Sequence, residues 1–555
     1  MILKDAVQDI VERALRKMAE ETGNDVSSFP EVKIEYPREE KFGDYATPVA
    51  MESAKVLRRS PVEIGNMVKS HIEGSGIIGD VEVVKPGFVN IFITIDHLFN
   101  NLKTIIEEKD HYGKNTRENP RSINIEFVSA NPTGPMNVVS ARAAAVGDTL
   151  ANLLEASGDT VHREFYVNDY GNQVYLLGQS VLARYRQLKG EDVEFPENGY
   201  HGEYIKDIAA WMQKEQEDKL LDIENEDERI QFCADLAVEY NVSGQKRDLS
   251  DFNVEYQTWF HEKNLHLEGK VEETLSYLES LGVIYEEEGK KVFRATDFGD
   301  DKDRVVVRDD GRPTYLMADI AYHLTKINRG YDLVIDIWGP DHHGYISRLV
   351  GAMLAMGYDE KKFRILIAQQ VNLMMEGEAV KMSKRLGKFS TMEDLIEEVG
   401  VDVARYFFVM RSMESHLDFD LDLAKRQSSE NPVFYLQYAH ARICSIFREA
   451  ENRGIAYNPE EAVVEPVDNP ESVALMKLLA RFPEEIRDAA VSYEPHRMTT
   501  YLMRLAQAYH KFYTEHRVLS DDMKATQTYL ALCDAVHIVM RNGLHILGVS
   551  APESM

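Results

Sequence analysis

Four cationic side chains fall within eight residues of the segment VKMSKRLGKFST, at 380–391: Lys381, Lys384, Arg385 and Lys388. Gly387 lies among them and favours a loop. Ammonium groups on such a loop can close over a polyanion and neutralise charge that develops on phosphate oxygens. Because runs of cations are more often solvated surface, the segment predicts phosphate chemistry only if a second element supports it.

The second element is INIEFVSANPTGPMNVVSARAAAVGD, at 123–148. Alternating apolar and polar residues at its start predict a strand, and NPTGP at 131–135 breaks that pattern. From Val138 an Ala-, Val- and Leu-rich run predicts a helix that ends at Gly158. In a parallel α/β sheet this turn lies at the carboxyl end of the strand, where the free N–H groups of the helix bind an anion. We expect a nucleotide here, although every doubly wound fold contains such units.

Together the two segments resemble the signature sequences of class I aminoacyl-tRNA synthetases, and the match to KMSK at 381–384 is literal. NPTGP and three further segments resemble arginyl-tRNA synthetases in particular: FGDDKDRVVVRDDGRPTYLMADIAYHL (298–324), WGPDHHGYISRL (338–349) and NPVFYLQYAHARICSI (431–446). The likeness extends from KFGDYATPVAM, at 41–51, to the last residues. It implies an enzyme that uses ATP to attach L-arginine to arginine tRNA through an arginyl-adenylate, releasing AMP and pyrophosphate.

The first signature departs from the family pattern of His, a small apolar residue, Gly and His. The matching positions here are Asn137, Val138, Val139 and Ser140. Asn137 and Ser140 can donate hydrogen bonds to phosphate but cannot carry a positive charge as imidazolium does. Val139 replaces a glycine and is expected to crowd the adenine ring. The departure leaves open an alternative, a non-catalytic paralogue that binds tRNA or arginine for regulation, whereas the intact KMSK segment favours the enzyme.

The resemblance also implies an arginine pocket. Glu126 and Asp319 would grip the guanidinium, Asn131 would hold the α-amino or carboxylate end, and Tyr315 would lie along the side chain. Carboxylates suit this task because a planar guanidinium presents its donors in a rigid fork that a carboxylate accepts in bidentate geometry. Tyr315 and Asp319 are four residues apart, which places them on one face of a predicted helix.

The same resemblance implies the ATP site. Lys381 and Lys384 would act catalytically on the pyrophosphate side, with Asn137 and Ser140 as the remains of the first signature. The full set of expected ATP-binding residues is Pro132, Thr133, Gly134, Asn137, Ser140, Gly339, Asp341, His342, His343, Lys381, Met382, Ser383 and Lys384. Mg²⁺ would accompany ATP without a dedicated protein cage. We expect no protein-bound metal, because neighbouring histidines on a turn rarely converge on one ion.

The expected fold class is α/β, in three parts. An N-terminal α/β domain at 1–112 would contact the tRNA elbow, a Rossmann-type catalytic domain would span 113–425, and an all-helical anticodon-binding domain would span 426–555. A helical insertion at about 190–245 is acidic and is expected to be a solvated face without chemistry. The expected tRNA-binding residues are Lys41, Phe42, Asp44, Arg497, Tyr501, Arg504 and Lys511.

Composition bounds the remaining possibilities. With 63 Lys and Arg against 94 Asp and Glu, the net charge of −31 argues against coating nucleic acid through bulk charge, so tRNA must meet local basic faces. Cys233, Cys444 and Cys533 are far apart and favour neither disulfides nor a zinc site. The acidic N-terminal helix pattern fits no targeting peptide, and no apolar run approaches a membrane span. We expect a cytoplasmic monomer with arginine tRNA, L-arginine and ATP as partners and no membrane.

Overall fold

The computed structural model describes residues 2–72, 75–380, 391–459 and 468–555, without the side chains of Glu40, Glu217, Asp218 and His343. The predicted pyrophosphate-facing residues Lys381, Met382, Ser383 and Lys384 lie outside the described residues.

The N-terminal region is an α/β module in which an antiparallel sheet, ordered β1-β3-β2, packs against helices. Its strands are β1 (Tyr45–Thr47), β2 (Ile78–Val84) and β3 (Phe88–Ile93). Its helices are α1 (Leu3–Thr22), α2 (Val49–Glu52), α3 (Ala54–Leu57), α4 (Pro61–Ile72) and α5 (Ile95–Glu108).

The middle of the chain alternates strands and helices, as its apolar patterning predicts. The strands are β4 (Ser122–Glu126), β5 (Thr160–Val167), β6 (Thr258–His261), β7 (Ile284–Glu287), β8 (Lys290–Phe293), β9 (Arg304–Val307), β10 (Leu333–Trp338), β11 (Phe363–Ile367), β12 (Val371–Met375), β13 (Glu378–Ala379) and β14 (Leu417–Asp420). The helices are α6 (Val138–Ser157), α7 (Asn172–Leu188), α8 (Glu203–Leu221), α9 (Glu226–Asp251), α10 (Glu262–Leu267), α11 (Lys270–Ser280), α12 (Tyr315–Asn328), α13 (Ile346–Ala355), α14 (Met392–Val399), α15 (Val401–Val409) and α16 (Leu421–Ala424).

A parallel five-stranded sheet forms the centre of this region, in the order β11-β10-β4-β5-β6. Ile123, Ile125 and Phe127 are fully buried, as their alternation predicts. Later strands are added on both sides of β4, so the strand order reverses between β4 and β10. Ligands of open α/β sheets bind in the crevice at the carboxyl ends of the strands beside such a reversal.

The helical insertion departs from the expectation of a solvated segment. In α8 one face carries Ile205, Ile208 and Met212, which are completely buried. Helix α9 packs along most of α7, and α8 also contacts α7. Only the acidic outer faces of α8 and α9 meet solvent, so the inner faces are available to support the catalytic domain.

The C-terminal region is helical and consists of α17 (Pro432–Asn452), α18 (Pro470–Ser492), α19 (His496–Glu515) and α20 (Met523–Leu547). Pro432 occupies the first turn of α17, where its missing N–H breaks no helical hydrogen bond. Among the described residues, α20 is long and apolar enough to cross a membrane, but 78% of its most apolar window is buried inside the protein. That burial is typical of a core helix.

A completely buried arginine, Arg405 of α15, joins the helical region to the sheet. Its guanidinium donates hydrogen bonds to the carbonyl oxygens of Leu547 (2.9 Å) and Phe252 (2.9 Å) and to the Asp148 carboxylate (2.6 Å). Gly548 adopts a positive φ of 65°, and a Cβ atom there would lie 2.3 Å from this guanidinium. The close approach therefore requires glycine.

Candidate functional site

The backbone turns sharply where β4 ends. Val128 and Ser129 have positive φ values of 69° and 39°, and such strain is uncommon for a β-branched residue and costs about 1–3 kcal/mol. The Ser129 hydroxyl donates to Glu126 (2.8 Å) and accepts from the Tyr166 N–H (3.0 Å). These bonds hold the strained turn at the carboxyl edge of the sheet.

The insertion helices hold the NPTGP turn through its carbonyl oxygens. Asn241 donates to Pro132 (2.8 Å), the Tyr204 hydroxyl donates to Thr133 (2.7 Å), and Gln245 donates to Asn131 (3.1 Å). A Cβ atom at Gly134 would lie 3.0 Å from the Tyr204 ring. The acidic composition of the insertion gave no sign of this role, which depends on three polar side chains on its inner face.

The first signature begins helix α6. Asn137 is exposed and caps the helix, because its side-chain oxygen accepts from the Ser140 N–H (2.9 Å) and the Ser140 hydroxyl (3.2 Å). Val138 is buried, whereas Val139 is only half-buried. The helix runs from Val138 to a left-handed Gly158, as predicted. Its first N–H groups remain available to an anion.

Helix α14 begins directly beside this turn. Thr391 and Asp394 form a capping box at the start of α14. The Met392 N–H donates to the carbonyl oxygen of Met136 at 2.9 Å. Met392, eight residues after Lys384, is therefore attached to the residue that precedes Asn137.

Glu126 is engaged by the protein itself. Its carboxylate, at the end of β4, contacts the Lys326 ammonium, lies 2.8 Å from the Tyr322 hydroxyl and accepts from Ser129. Lys326 is completely buried and also donates to Asp336 at 2.7 Å. Although burial opposes ionisation, Lys326 and His323 hold the pKa of Asp336 below its usual range. Glu126 thus belongs to a buried network whose charges are compensated, which the sequence did not predict.

Asp319, on α12, has a different environment. Burial, with further repulsion from Glu262 and Glu126, raises its pKa to about 7 against the opposing effect of His323. The nearby Tyr345 hydroxyl is buried against this carboxylate and also opposes the rise of its pKa. This arrangement offers a carboxylate and a hydroxyl to an incoming cation.

Glu262 is the residue that sequence reasoning missed. It directly follows β6, is 4% exposed, and lies beside the Tyr166 hydroxyl. Its one charged contact within the described ranges is His266, at 3.7 Å. The available signal was its position at a strand end, on the edge where the Glu126 strand also ends.

Tyr315 begins α12 and is 59% exposed, one turn before Asp319, as predicted. It lines a cavity of about 730 Å³ that also reaches Glu262 and Ala318. Asn131 is exposed, and its amide lies 3.3 Å from Gln173. The cavity is large enough for an amino acid side chain to enter beside Tyr315.

The segment after β10 forms a 3₁₀ helix, Pro340–Tyr345, at the same sheet edge. The His342 N–H donates to the Gly339 carbonyl (3.1 Å), and Asp341 and His342 are exposed. The segment therefore lies where a nucleotide is expected.

Two of the expected tRNA-binding side chains are buried, which corrects their assignment. The Asp44 carboxylate is 4% exposed, accepts from the Ile93 N–H and pairs with Lys477, so it joins the N-terminal and helical regions. Tyr501 is 3% exposed and donates to the Leu478 carbonyl. Asp44 was expected from the family resemblance and Tyr501 from its spacing beside basic residues, and neither criterion shows which side chains pack inward.

The remaining expected tRNA contacts are accessible to different degrees. Lys41 is exposed beside Phe42 and pairs with Glu39. Arg504 is exposed, Lys511 is exposed and pairs with Glu471, and Arg497 is half-buried in a cluster of acidic residues.

A cavity of about 670 Å³ in the helical region combines cations with aromatic rings. Arg442 lies 4.7 Å from the ring centre of Tyr438 and 4.6 Å from that of Tyr513. Arg453 and Arg517 line the same cavity, and Tyr438 is 39% exposed. Exposed aromatic faces beside guanidinium groups are suited to stacking an unpaired nucleic acid base.

Comparison with protein families gives three matches that together span most of the chain. The arginyl tRNA synthetase N-terminal domain matches residues 5–93, the class I (R) tRNA synthetase catalytic domain matches 101–414, and the DALR anticodon binding domain matches 436–555.

Individual proteins agree with these matches. An arginine–tRNA ligase from Leptospira interrogans is 49% identical, covering 98% of this chain and 97% of its own, and one from Geobacillus kaustophilus is 43% identical, covering 99% of each. Two solved arginyl-tRNA synthetases show the same fold. The Thermus thermophilus structure has a TM-score of 0.77 at 20% sequence identity, and the match covers 100% of both chains. The Plasmodium falciparum structure has a TM-score of 0.77 at 16% sequence identity, and the match covers 100% of this chain and 99% of that one.

Proposed function

The chain belongs to the arginyl-tRNA synthetase family and is a class I arginine–tRNA ligase, and we propose roles for its residues in that reaction. Arginine, ATP and tRNA are the substrates of this family. The regulatory paralogue is not favoured, since the family matches include the whole catalytic domain.

Asp319 and Glu262 form the clamp for the guanidinium in this proposal. The observation that carries it is their charge environment, because neither carboxylate contacts a lysine or arginine in the part of the chain that the structure describes. A bound guanidinium supplies the missing cation to these carboxylates. Tyr315 lies along the methylene chain of the substrate.

Glu126 contributes at the other end of the substrate. Its charge is compensated by Lys326, so we assign it to orienting the α-amino group rather than to gripping the guanidinium. Asn131, exposed on the adjoining turn, holds the α-amino or carboxylate end. This revises the pairing of Glu126 with Asp319 that the family resemblance suggested.

ATP binds along the turn at 132–134, the α6 start with Asn137 and Ser140, and the segment from Gly339 to His343. Lys381 and Lys384, with Met382 and Ser383 between them, neutralise the pyrophosphate. Support comes from the Met392–Met136 hydrogen bond, which holds the chain eight residues after Lys384 beside Asn137. Mg²⁺ enters as the ATP complex, held by phosphate oxygens and water.

The reaction has two displacements. The arginine α-carboxylate attacks the α-phosphorus in line, forming an acyl–phosphate bond as pyrophosphate leaves. The terminal ribose hydroxyl of the tRNA then attacks the acyl carbon, loses its proton, and displaces AMP. Both steps depend on positioning and on neutralising charge that develops on oxygen.

The tRNA contacts in this proposal are local basic faces on an acidic protein. Lys41 and Phe42 meet the elbow, and Arg504 and Lys511, with Arg497 at the edge, follow the backbone near the anticodon. The cavity lined by Tyr438 and Arg442 takes one unstacked anticodon base. We further propose that the protein is a monomer and that it is cytoplasmic. The three free cysteines are consistent with a reducing compartment.

Charging of arginine tRNA with labelled arginine and ATP tests the assignment of the lysine segment. Lys384→Ala should lower kcat by about a hundredfold or more, because it removes a charge that acts mainly in the transition state. Lys388→Ala, in the same cationic run, serves as the matched control and should lose far less. Equal effects of the two changes would contradict a specific role for Lys384.

A second assay tests the base pocket. Tyr438→Ala should remove about 1–3 kcal/mol of base stacking. The KM for tRNA should rise accordingly, with no change in the KM for arginine. Tyr277→Ala, a truncation of an equally exposed tyrosine on α11 that lines neither cavity, is the control. An unchanged KM for tRNA would reject the pocket as a base-binding site.

A further inference from the structure

Two helices of the C-terminal region bring two imidazoles and a thiol together. His440 and Cys444 are one turn apart on α17, and His537 faces them from α20. One potential ligand atom from each residue can be chosen so that all three lie within 4.8 Å of one another. The Cys444 sulfur lies 4.0 Å from His440 Nδ1, and the two imidazole rings stack with centres 4.5 Å apart.

The buried His440 ring has one nitrogen, Nε2, that takes part in no hydrogen bond among the described residues. The residue is 1% exposed, and its Nδ1 lies 2.9 Å from the Pro552 carbonyl oxygen. A carbonyl can only accept, so Nδ1 carries the ring proton and Nε2 has a free lone pair. Nε2 is buried without a hydrogen-bond partner among the described residues. An imidazole whose N–H is held by a backbone carbonyl is typical of metal ligands.

We propose that His440, Cys444 and His537 form a binding site for a transition-metal ion that accepts mixed nitrogen and sulfur ligands, with Zn²⁺ as the reference ion. Zinc bonds of about 2.0–2.3 Å in tetrahedral geometry place ligand atoms about 3.3–3.7 Å apart. The cluster would contract to reach that geometry, and the His440 ring would turn so that Nε2, rather than the protonated Nδ1 that lies 4.0 Å from the Cys444 sulfur, faces the ion. Water fills the fourth position.

Binding requires no redox partner. A sulfur–metal bond forms as the Cys444 thiol releases its proton to solvent, and the metal keeps its charge. Arg541 and Arg448 lie near the cluster and oppose a cation, whereas Glu553 favours one. The Arg541 guanidinium is already paired with Asp110, which reduces its opposition.

The ion would have a structural role. His440 holds the Pro552 carbonyl, and Arg448 donates to the Glu553 carbonyl at 3.1 Å, so the chain after α20 is attached to α17 beside the cluster. A metal bridging α17 and α20 would fix this three-way contact. The site is distinct from the synthetase centre, and its test does not depend on catalysis.

The first test uses cobalt as a spectroscopic probe of the chelator-treated full-length chain. One equivalent of Co²⁺ should produce a sulfur-to-cobalt absorption band that Zn²⁺ abolishes. Cys444→Ser and His537→Gln should each lower the cobalt affinity at least tenfold, and Cys444→Ser should also remove the band. Matched controls are Cys533→Ala, a buried thiol on α20 outside the cluster, and His545→Gln, an exposed histidine on the same helix.

A second test needs no variant and so does not depend on the folding of one. Alkylation of each cysteine in the unaltered protein is followed by mass spectrometry, with Zn²⁺ and with chelator. Zinc should slow alkylation of half-buried Cys444 at least tenfold while leaving Cys233 and Cys533 unchanged. Equal rates for Cys444, or a cobalt band that survives Cys444→Ser, would overturn the site.

Discussion

Two groups of acidic side chains lie along the carboxyl edge of the central sheet, and they differ in their cations. Glu126 and Asp336 share the buried Lys326 ammonium, whereas Asp319 and Glu262 contact no lysine or arginine in the described ranges. In the first group, both carboxylates already contact an ammonium group before substrate arrives. The second keeps a cost of burial that an incoming cation would remove, and this difference is the reason we propose it as the binding group.

The largest expected effect is on stability, in the compensated group. Lys326→Met should lower the free energy of unfolding by about 3–5 kcal/mol, because it leaves Glu126 and Asp336 buried without their cation. Denaturant unfolding at pH 8 measures the loss. Lys263→Met, which breaks an exposed pair with Asp235, is the control and should cost about 1 kcal/mol or less. Similar losses for both would remove the distinction between the groups.

The next effect is on binding, in the uncompensated group. Asp319→Asn should reduce kcat/KM for arginine by about a hundredfold or more, since the guanidinium loses a charged acceptor at a cost of about 3 kcal/mol. Glu262→Gln should act in the same direction, and steady-state charging kinetics measure both.

The stability of the same variant separates binding from folding. Because the pKa of Asp319 is raised on folding to about 7, its ionisation disfavours the folded state as pH rises through that value. Asp319→Asn should therefore unfold no more easily than the parent at pH 8. A large loss of stability would place Asp319 with the structural carboxylates.

The smallest effect is the pH dependence of arginine binding. With the pKa of Asp319 at about 7 in the arginine-free enzyme, a proton must leave before the cation binds at lower pH. The KM for arginine should rise about tenfold from pH 8 to pH 6. The same measurement on Asp319→Asn should show little dependence. A flat KM in the parent enzyme would mean that Asp319 stays ionised throughout.

The sequence was sufficient where the interaction is local. The turn from β4 into α6, the Tyr315 and Asp319 face of α12, and the capping box at Thr391 all follow from spacing of a few residues, and the structure has each of them.

It was insufficient where partners come from distant segments. The ion pair of Lys326 with Glu126 and the position of Glu262 arise because separate strands end at one edge. The support of the NPTGP turn by α8 and α9 likewise depends on packing of an inserted segment whose composition suggested only a solvated surface. Tyr501 fits a basic stripe by spacing, yet its ring packs inward against Phe482.

Arg405 has a consequence for synthesis on the ribosome. Its guanidinium contacts Asp148, Phe252 and Leu547, so the partners come from early, middle and late parts of the chain. A nascent chain can form most of the sheet before residue 547 emerges, but until then this buried donor lacks one of its acceptors. Completion of the catalytic region is thereby timed to the last helix, and chains released early would expose an incomplete junction to quality control.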